Sequence, residues 1–287
     1  MKISVYVASA FSKDHKGGNK AGVVFIENTN TLTTTQKMEI AKQLGYAETA
    51  FISESELADY KFEYFTPKEE VDLCGHATIG SFAILMHLNK LFRNRYTIET
   101  NSGVLTITIT DDIIFMEQNK PIFYDVVSPN EFTDCFDSKD IDNKYPIQIV
   151  STGLKDILIP IKSEIQLYAL QPNFEKIKEI SKYYNVVGMH LYTFNDNRII
   201  CRNFAPLYDI NEEAATGTSN GALACYLYEQ DYLKKEVYVF EQGYSLHSPS
   251  EILVKLATNS KNKIEKVYVG GKGYYCETKC LHVENIE

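Results

Sequence analysis

Two short stretches carry residue types that can do chemistry, and they sit in matching contexts. The first runs Phe65-Thr66-Pro67, then an acidic loop with Glu69, Glu70 and Asp72, then Cys74-Gly75-His76. Small and apolar residues follow it (Ala77, Ile79, Gly80, Ala83, Ile84, Leu85). The second runs Phe204-Ala205-Pro206, then Glu212-Glu213, then Thr216-Gly217-Thr218, and is followed by Gly221, Ala222, Leu223, Ala224 and Leu227. Each apolar run predicts a buried helix that begins at its glycine. A helix start leaves several backbone N–H groups without intrahelical acceptors. Such an end attracts an anion, and glycine lets a ligand approach the backbone closely. The two stretches therefore predict an internal duplication that brings two helix starts to one site.

The side chains around these starts each allow two readings. His76 either caps and packs its helix or hydrogen-bonds a substrate and shuttles a proton. Glu213 either complements the dipole of the second helix or orients an amino or hydroxyl group. Cys74, at a helix N-terminus, is either a packed small residue or a stabilised thiolate. Gly75, Gly217 and Thr218 offer backbone and hydroxyl donors for a carboxylate and for the enolate that develops from it. Glu48 falls on a predicted strand, where a carboxylate is ordinarily solvated. Counting back from Phe204 by the Glu48-to-Phe65 interval reaches Val187, so the second half supplies no matching carboxylate. Cys276, Cys280 and His282 lack the spacing of a structural zinc site and an evident fourth ligand, and no metal is expected. Gly270-Gly271-Lys272-Gly273 lacks the spacing of a phosphate loop and reads as a turn.

The elements that position these residues follow from periodicity and punctuation. Strands are predicted over 2–7, 21–26, 47–53 and 61–65. Thr33-Thr34-Thr35-Gln36 is a capping box for a helix with Met38, Ile40, Ala41 and Leu44 on its apolar face and Gly45 as its stop. A β meander over 96–116 closes the first half, and 121–143 is polar and irregular. The second half repeats the order: strands near 147–150 and 157–161, a helix over 173–184, strands over 186–194 and 198–204, and the Gly217 helix. Closing strands fall near 237–242, 252–256 and 266–269. Two domains result, 1–118 and 119–287, with the last strand able to pack back on the first domain.

The chain has 287 residues, 44% of them hydrophobic, enough for two cores. A formal net charge of −9 and the lack of any basic stripe argue against nucleic acid. No apolar run approaches membrane-spanning length, and residues 1–7 alternate like a strand, unlike a signal peptide. The six cysteines are widely spaced, as in reduced thiols. A cytoplasmic protein is expected.

Several pieces together resemble the PhzF-like family (phenazine biosynthesis protein F and its relatives), within the diaminopimelate epimerase-like fold. They are Gly18-Asn19, Tyr46-Ala47-Glu48-Thr49-Ala50-Phe51, Phe65-Thr66-Pro67, Asp72-Leu73-Cys74-Gly75-His76-Ala77-Thr78, Glu212-Glu213-Ala214-Ala215-Thr216-Gly217-Thr218, Gln242-Gly243 and Pro249-Ser250. The resemblance implies an α+β fold of two pseudo-symmetric domains, each a β-barrel-like sheet around a central helix, with the site in the cleft between them. It also implies a homodimer, a small carboxylate-bearing substrate and no cofactor. Glu48 becomes the acid/base, His76 and Glu213 its catalytic companions, and Asn19, Cys74, Gly75, Thr216, Gly217 and Thr218 the substrate-binding set. Departures from the family pattern are Ser9 for Asp, Lys20 for Pro, Glu213 for Asp and Thr218 for Ser. The expected activity is a cofactor-independent isomerase or epimerase. The alternatives are an inactive small-acid-binding or metabolite-sensing protein and a thiol-dependent racemase using Cys74, for which Thr216 stands where a second thiol would be.

Overall fold

The computed structural model describes residues 1–26 and 32–283. The chain divides into two compact units, Met1–Glu117 with Gly270–Glu287, and Gln118–Val269.

The first unit opens with β1 (Lys2–Ala10), β2 (Asn19–Phe25), α1 (Thr34–Leu44), β3 (Thr49–Ser53) and β4 (Tyr60–Phe65). The two-residue β5 (Glu70–Val71), α2 (Gly75–His87), β6 (Arg95–Thr100), β7 (Gly103–Thr110) and β8 (Ile113–Gln118) follow. The expected capping box is made in both directions: Thr33 N–H donates to Gln36 Oε1 at 3.0 Å and Gln36 N–H to Thr33 Oγ1 at 3.3 Å. Gly45 ends α1 with φ at 71°, a conformation that costs glycine little. β1 and β2 are antiparallel, and β2 then pairs with β3 in parallel across α1. β3 and β4 are antiparallel, and β4 pairs with β6 in parallel across α2. A parallel pair needs a crossover, and the two helices supply them. Every residue of α2 from His76 to Leu85 is buried, because its sequence is apolar or small on all sides. It packs on β1, β2 and β3.

The second unit contains β9 (Ile122–Val127), β10 (Ile147–Ser151), β11 (Lys155–Pro160), α3 (Glu164–Ala169), α4 (Phe174–Tyr184), β12 (Gly188–Asn195) and β13 (Arg198–Ala205). Next come β14 (Ile210–Glu213), α5 (Gly217–Glu229), β15 (Val237–Gln242), β16 (Ser250–Thr258) and β17 (Ile264–Gly271). The order of pairing repeats that of the first unit. β10 and β11 are antiparallel, β11 and β12 parallel, β12 and β13 antiparallel, β13 and β15 parallel, β15 and β16 antiparallel. β14 lies on β13 as β5 lies on β4. α5 is buried from Ser219 to Tyr228 and packs on β10, β11 and β16. Arg202 and Glu212 form a bidentate buried ion pair at 2.9 and 2.8 Å, with the Leu167 and Leu170 carbonyls accepting from the same guanidinium.

Three local expectations are corrected. The stretch 121–143 is not all irregular, because Ile122–Val127 forms β9 on the edge of β10. Its β-rich residues surround Asp125 and precede Pro129, which hid the alternation. α3, capped by Ser163, was not expected, because it is too short to show a helical period. Glu48 does not lie on a strand; it is in the connection just before β3.

The last strand, β18 (Gly273–His282), belongs to the first unit, where it runs antiparallel along all of β1. It takes the place on β1 that β9 takes on β10. The 270–273 stretch is a tight link from β17 to β18, and the Lys272 carbonyl accepts from Ser12 N–H at 3.0 Å. Among the described residues, no helix is long and apolar enough to cross a membrane.

Candidate active site

In the first unit, α2 begins at Gly75 with Cys74 as its N-cap, in an extended conformation (φ −139°, ψ 111°) and with no side-chain cap hydrogen bond. The backbone thereby aims Cys74 and His76 to the same side of the helix start: Cys74 Sγ is 3.5 Å from His76 Nδ1 and 3.9 Å from Nε2. Glu48 arrives from the connection before β3, with Oε2 at 3.2 Å from His76 Nε2. The contact is close but not aligned as a hydrogen bond, and Oε2 is buried without a hydrogen-bond partner. Burial raises the Glu48 carboxyl above its ordinary proton affinity, and a hydrogen bond with Cys74 partly offsets this. A carboxyl so placed holds its proton more firmly than a solvated one does. Thr78, one turn into α2, donates to the Cys74 carbonyl at 2.7 Å and lies 2.6 Å from the Tyr64 hydroxyl. This fixes the N-cap from behind.

In the second unit, α5 begins at Gly217 with Thr216 as its N-cap, again extended and with no side-chain cap hydrogen bond. Thr216 Oγ1–H donates to Glu213 Oε2 at 2.6 Å, so Glu213 holds its neighbour's hydroxyl. Gln242, at the end of β15, donates to the Glu213 carbonyl at 2.8 Å and to Thr216 Oγ1 at 3.1 Å, and accepts from Thr216 N–H at 3.2 Å. Asn220 occupies the place in α5 that Thr78 has in α2, and donates to the Thr216 carbonyl at 2.8 Å. The acidic pair is thus divided: Glu212 belongs to the Arg202 ion pair, Glu213 to the helix start. Thr218 lies in the first turn of α5, where its carbonyl accepts from Thr152 Oγ1 at 3.1 Å.

Strand register identifies the counterpart of Glu48. Thr49 faces Phe65 and Met189 faces Phe204, so the residue preceding each is Glu48 in one unit and Gly188 in the other. Counting along the chain reached Val187, one residue short, because the second hairpin is a residue tighter. A Cβ on Gly188 would lie 1.9 Å from the Phe204 carbonyl oxygen, so no side chain fits there.

Behind α5 runs a buried polar chain that sequence reasoning missed. His190 Nε2 lies 3.3 Å from Asn220 Oδ1, and Asn203 Nδ2 lies 3.2 Å from His190 Nδ1. Asn203 also donates to Ser219 Oγ at 3.2 Å, and Ser219 donates to Asp156 Oδ2 at 2.7 Å. Burial pushes the Asp156 carboxyl up to about 7, with the Glu213 charge adding to it and the Ser219 and Asn203 hydrogen bonds opposing it. Burial pushes His190 down to about 4, against a hydrogen bond with Asn220.

Of the other expected site residues, Asn19 is the first residue of β2 and pairs with Ala10. Gly75 is not required by packing: a Cβ there would meet the Met116 methyl at 3.4 Å, an ordinary contact. Ser9, the replacement at the family's Asp, is buried and donates to the Gly17 carbonyl at 2.6 Å. Cys276, Cys280 and His282 form no ligand cluster among the described residues.

The chain has an α+β fold in which the order of strand pairing occurs twice, and it is the comparisons with known proteins that place it among isomerases. The family described as phenazine biosynthesis-like protein (PhzC-PhzF) matches residues 8–279, and the chain belongs to it. It is 33% identical over 283 residues to an uncharacterized isomerase of Clostridium acetobutylicum, covering 92% of this chain and 93% of the relative. It is 31% identical to the uncharacterized isomerase YddE of Escherichia coli, over 94% of this chain and 95% of that one. Among solved structures, it is similar to a PhzF-family phenazine biosynthesis protein of Bacillus anthracis, with a TM-score of 0.89 at 27% identity, over 99% of this chain and 100% of the other.

Proposed function

We propose that this isomerase moves a proton on a small carboxylic or amino acid without a cofactor, with Glu48 as the acid/base. The observation that carries the reading is the half-buried Glu48 carboxylate, whose Oε2 is buried without a hydrogen-bond partner beside His76 and Cys74. Glu48 takes the proton from a carbon next to the substrate carboxylate, and the electron pair moves into the carboxylate as an enediolate. Backbone N–H groups at the starts of α2 and α5 stabilise that charge, because neither start is capped by a side chain. The pair then returns to the same carbon as the proton comes back on either face, or, in a substrate with a conjugated C=C bond, to the far end of that bond as the double bond shifts. His76 passes the proton or holds the substrate, and Glu213 orients a polar substituent.

The test is solvent-deuterium incorporation into a panel of small amino and hydroxy acids. An isomerase places deuterium at one carbon of its substrate. If every compound that raises the melting temperature stays unlabelled, the protein is a binder and the proposal fails. Simple dicarboxylates should inhibit competitively. Thr218→Ala should weaken that inhibition by roughly ten- to a hundredfold, since a hydrogen bond to a charged group contributes roughly 1.5–3 kcal/mol. An unchanged inhibition constant would remove Thr218 from the binding set.

A thiol racemase is the second reading, favoured by the proximity of Cys74 to His76. Against it, the hydroxyl at the corresponding place in the second unit, Thr216, is held by Glu213.

A further inference from the structure

We propose that Glu48, Cys74 and His76 also form a metal site that takes one Zn²⁺ ion, and that the bound ion switches the proton transfer off. Three ligand types meet here: a carboxylate oxygen, a thiol sulfur and an imidazole nitrogen, all within 4.8 Å of one another. Measured from His76 Nε2, the Glu48 oxygen is at 3.2 Å and the Cys74 sulfur at 3.9 Å. Zinc bonds of about 2.3 Å to sulfur and about 2.0–2.1 Å to nitrogen and oxygen, in tetrahedral geometry, require separations near 3.3 Å for N···O and 3.6 Å for N···S. A ring movement of a few tenths of an ångström meets both.

The positions of the ligands are set by the fold. Cys74 and His76 are tied to one helix start, and the Cys74 carbonyl is held by Thr78, which is itself buried against Tyr64. Glu48 is held in the short connection into β3, and its Oε2 has no aligned donor to give up when a cation arrives. Cys74 and His76 are each 7% exposed, so little further desolvation is needed. The mixed N, O and S set suits Zn²⁺ and excludes Mg²⁺ and Ca²⁺, which take oxygen ligands. On binding, the Cys74 S–H bond breaks, its proton goes to solvent and the thiolate pair forms the Zn–S bond. No oxidation occurs. Three protein ligands leave a fourth position for water or a substrate carboxylate.

Inhibition rests on the reading of Glu48 as the base: its oxygen pair, bound to zinc, can no longer accept a proton from carbon. Metal binding does not rest on that reading, which lets the two be tested apart. The reduced, chelator-stripped full chain is titrated with Co²⁺, a spectroscopic substitute for Zn²⁺. A Co²⁺–thiolate charge-transfer band should saturate at one equivalent and disappear when Zn²⁺ displaces the cobalt. Cys74→Ser and Cys74→Ala should lose the band, with their folding checked by thermal melts. Glu48→Gln and His76→Ala should weaken cobalt at least tenfold. The double variant Cys276→Ser/Cys280→Ser, which alters the two more exposed thiols, should keep the band. No band at one equivalent, or a band that survives Cys74→Ser, overturns the site. In the deuterium-exchange assay, one equivalent of Zn²⁺ should stop labelling and a chelator should restore it. A saturated band with unchanged labelling overturns the switch, and with it Glu48 as the base, while leaving the metal site standing.

Discussion

Glu48→Gln should lose proton transfer by roughly a hundred- to ten-thousand-fold, the usual contribution of a positioned acid/base group. An amide is nearly the same size but cannot accept a proton from carbon. The variant should still bind inhibitory carboxylates, because the helix-start amides are untouched. It should also melt no lower than the parent above pH 5. Burial raises the Glu48 carboxyl, so the folded state carries a cost for ionising it that the unfolded chain does not. That cost appears as pH rises past the unfolded carboxyl's ordinary range, and the amide does not share it. The measurement is the rate of deuterium exchange beside a thermal melt, so that misfolding is not mistaken for lost chemistry. Cys74→Ser is the companion. If it abolishes exchange while Glu48→Gln leaves it intact, the site is a thiol racemase.

The second expected result concerns stability against pH. Asp156 titrates at about 7 in the folded chain against an ordinary 3.8, and His190 at about 4 against 6.5. Between pH 4 and 6.5 the unfolded aspartate is ionised while the folded one keeps its proton, so Asp156 makes stability fall as pH rises. In the same window the unfolded histidine is protonated while the folded one is neutral, so His190 makes stability rise. At about 1.4 kcal/mol per pH unit, each contribution amounts to about 3 kcal/mol across the window, and the two cancel in the parent. Asp156→Asn should therefore gain about 3 kcal/mol relative to the parent from pH 4 to 6.5. His190→Gln should lose about as much. Urea unfolding at several pH values reads this directly. Two variant profiles that stay parallel to the parent would rule out the opposed pair.

The duplication was legible because its markers are local: Phe-x-Pro, an acid, a glycine and a run of small apolar residues occur twice in one order. The capping box at Thr33 and the stop at Gly45 were legible for the same reason. Thr78 and Asn220 could have been found too, since each stands four residues after its N-cap, at matching places in the two helices. The Glu48 counterpart could not be found by counting, because one residue of difference in hairpin length shifts every position upstream. Asp156 and His190 were out of reach for another reason. They lie on strands far apart in sequence from the helix they support, and parallel pairing of β11 with β12, which only the folded chain shows, brings them under it. β18 was expected only as a closing strand that could return to the first domain, and an alternating stretch does not say which edge it will find.

That return has a consequence for how the chain is made. The Met1 amino group donates to the Val283 carbonyl at 2.5 Å across 282 positions of chain, and the strands behind these two residues pair along their length. As the polypeptide leaves the ribosome, β1 emerges early and waits for β18, while β10 through β16 can already pair among themselves. The earlier-synthesised unit is thus the later one to be completed, and until then one edge of β1 stays open to the wrong strand. A released chain truncated after Lys272 should therefore resist protease over 118–269 and be cut within 1–117, which limited proteolysis would read.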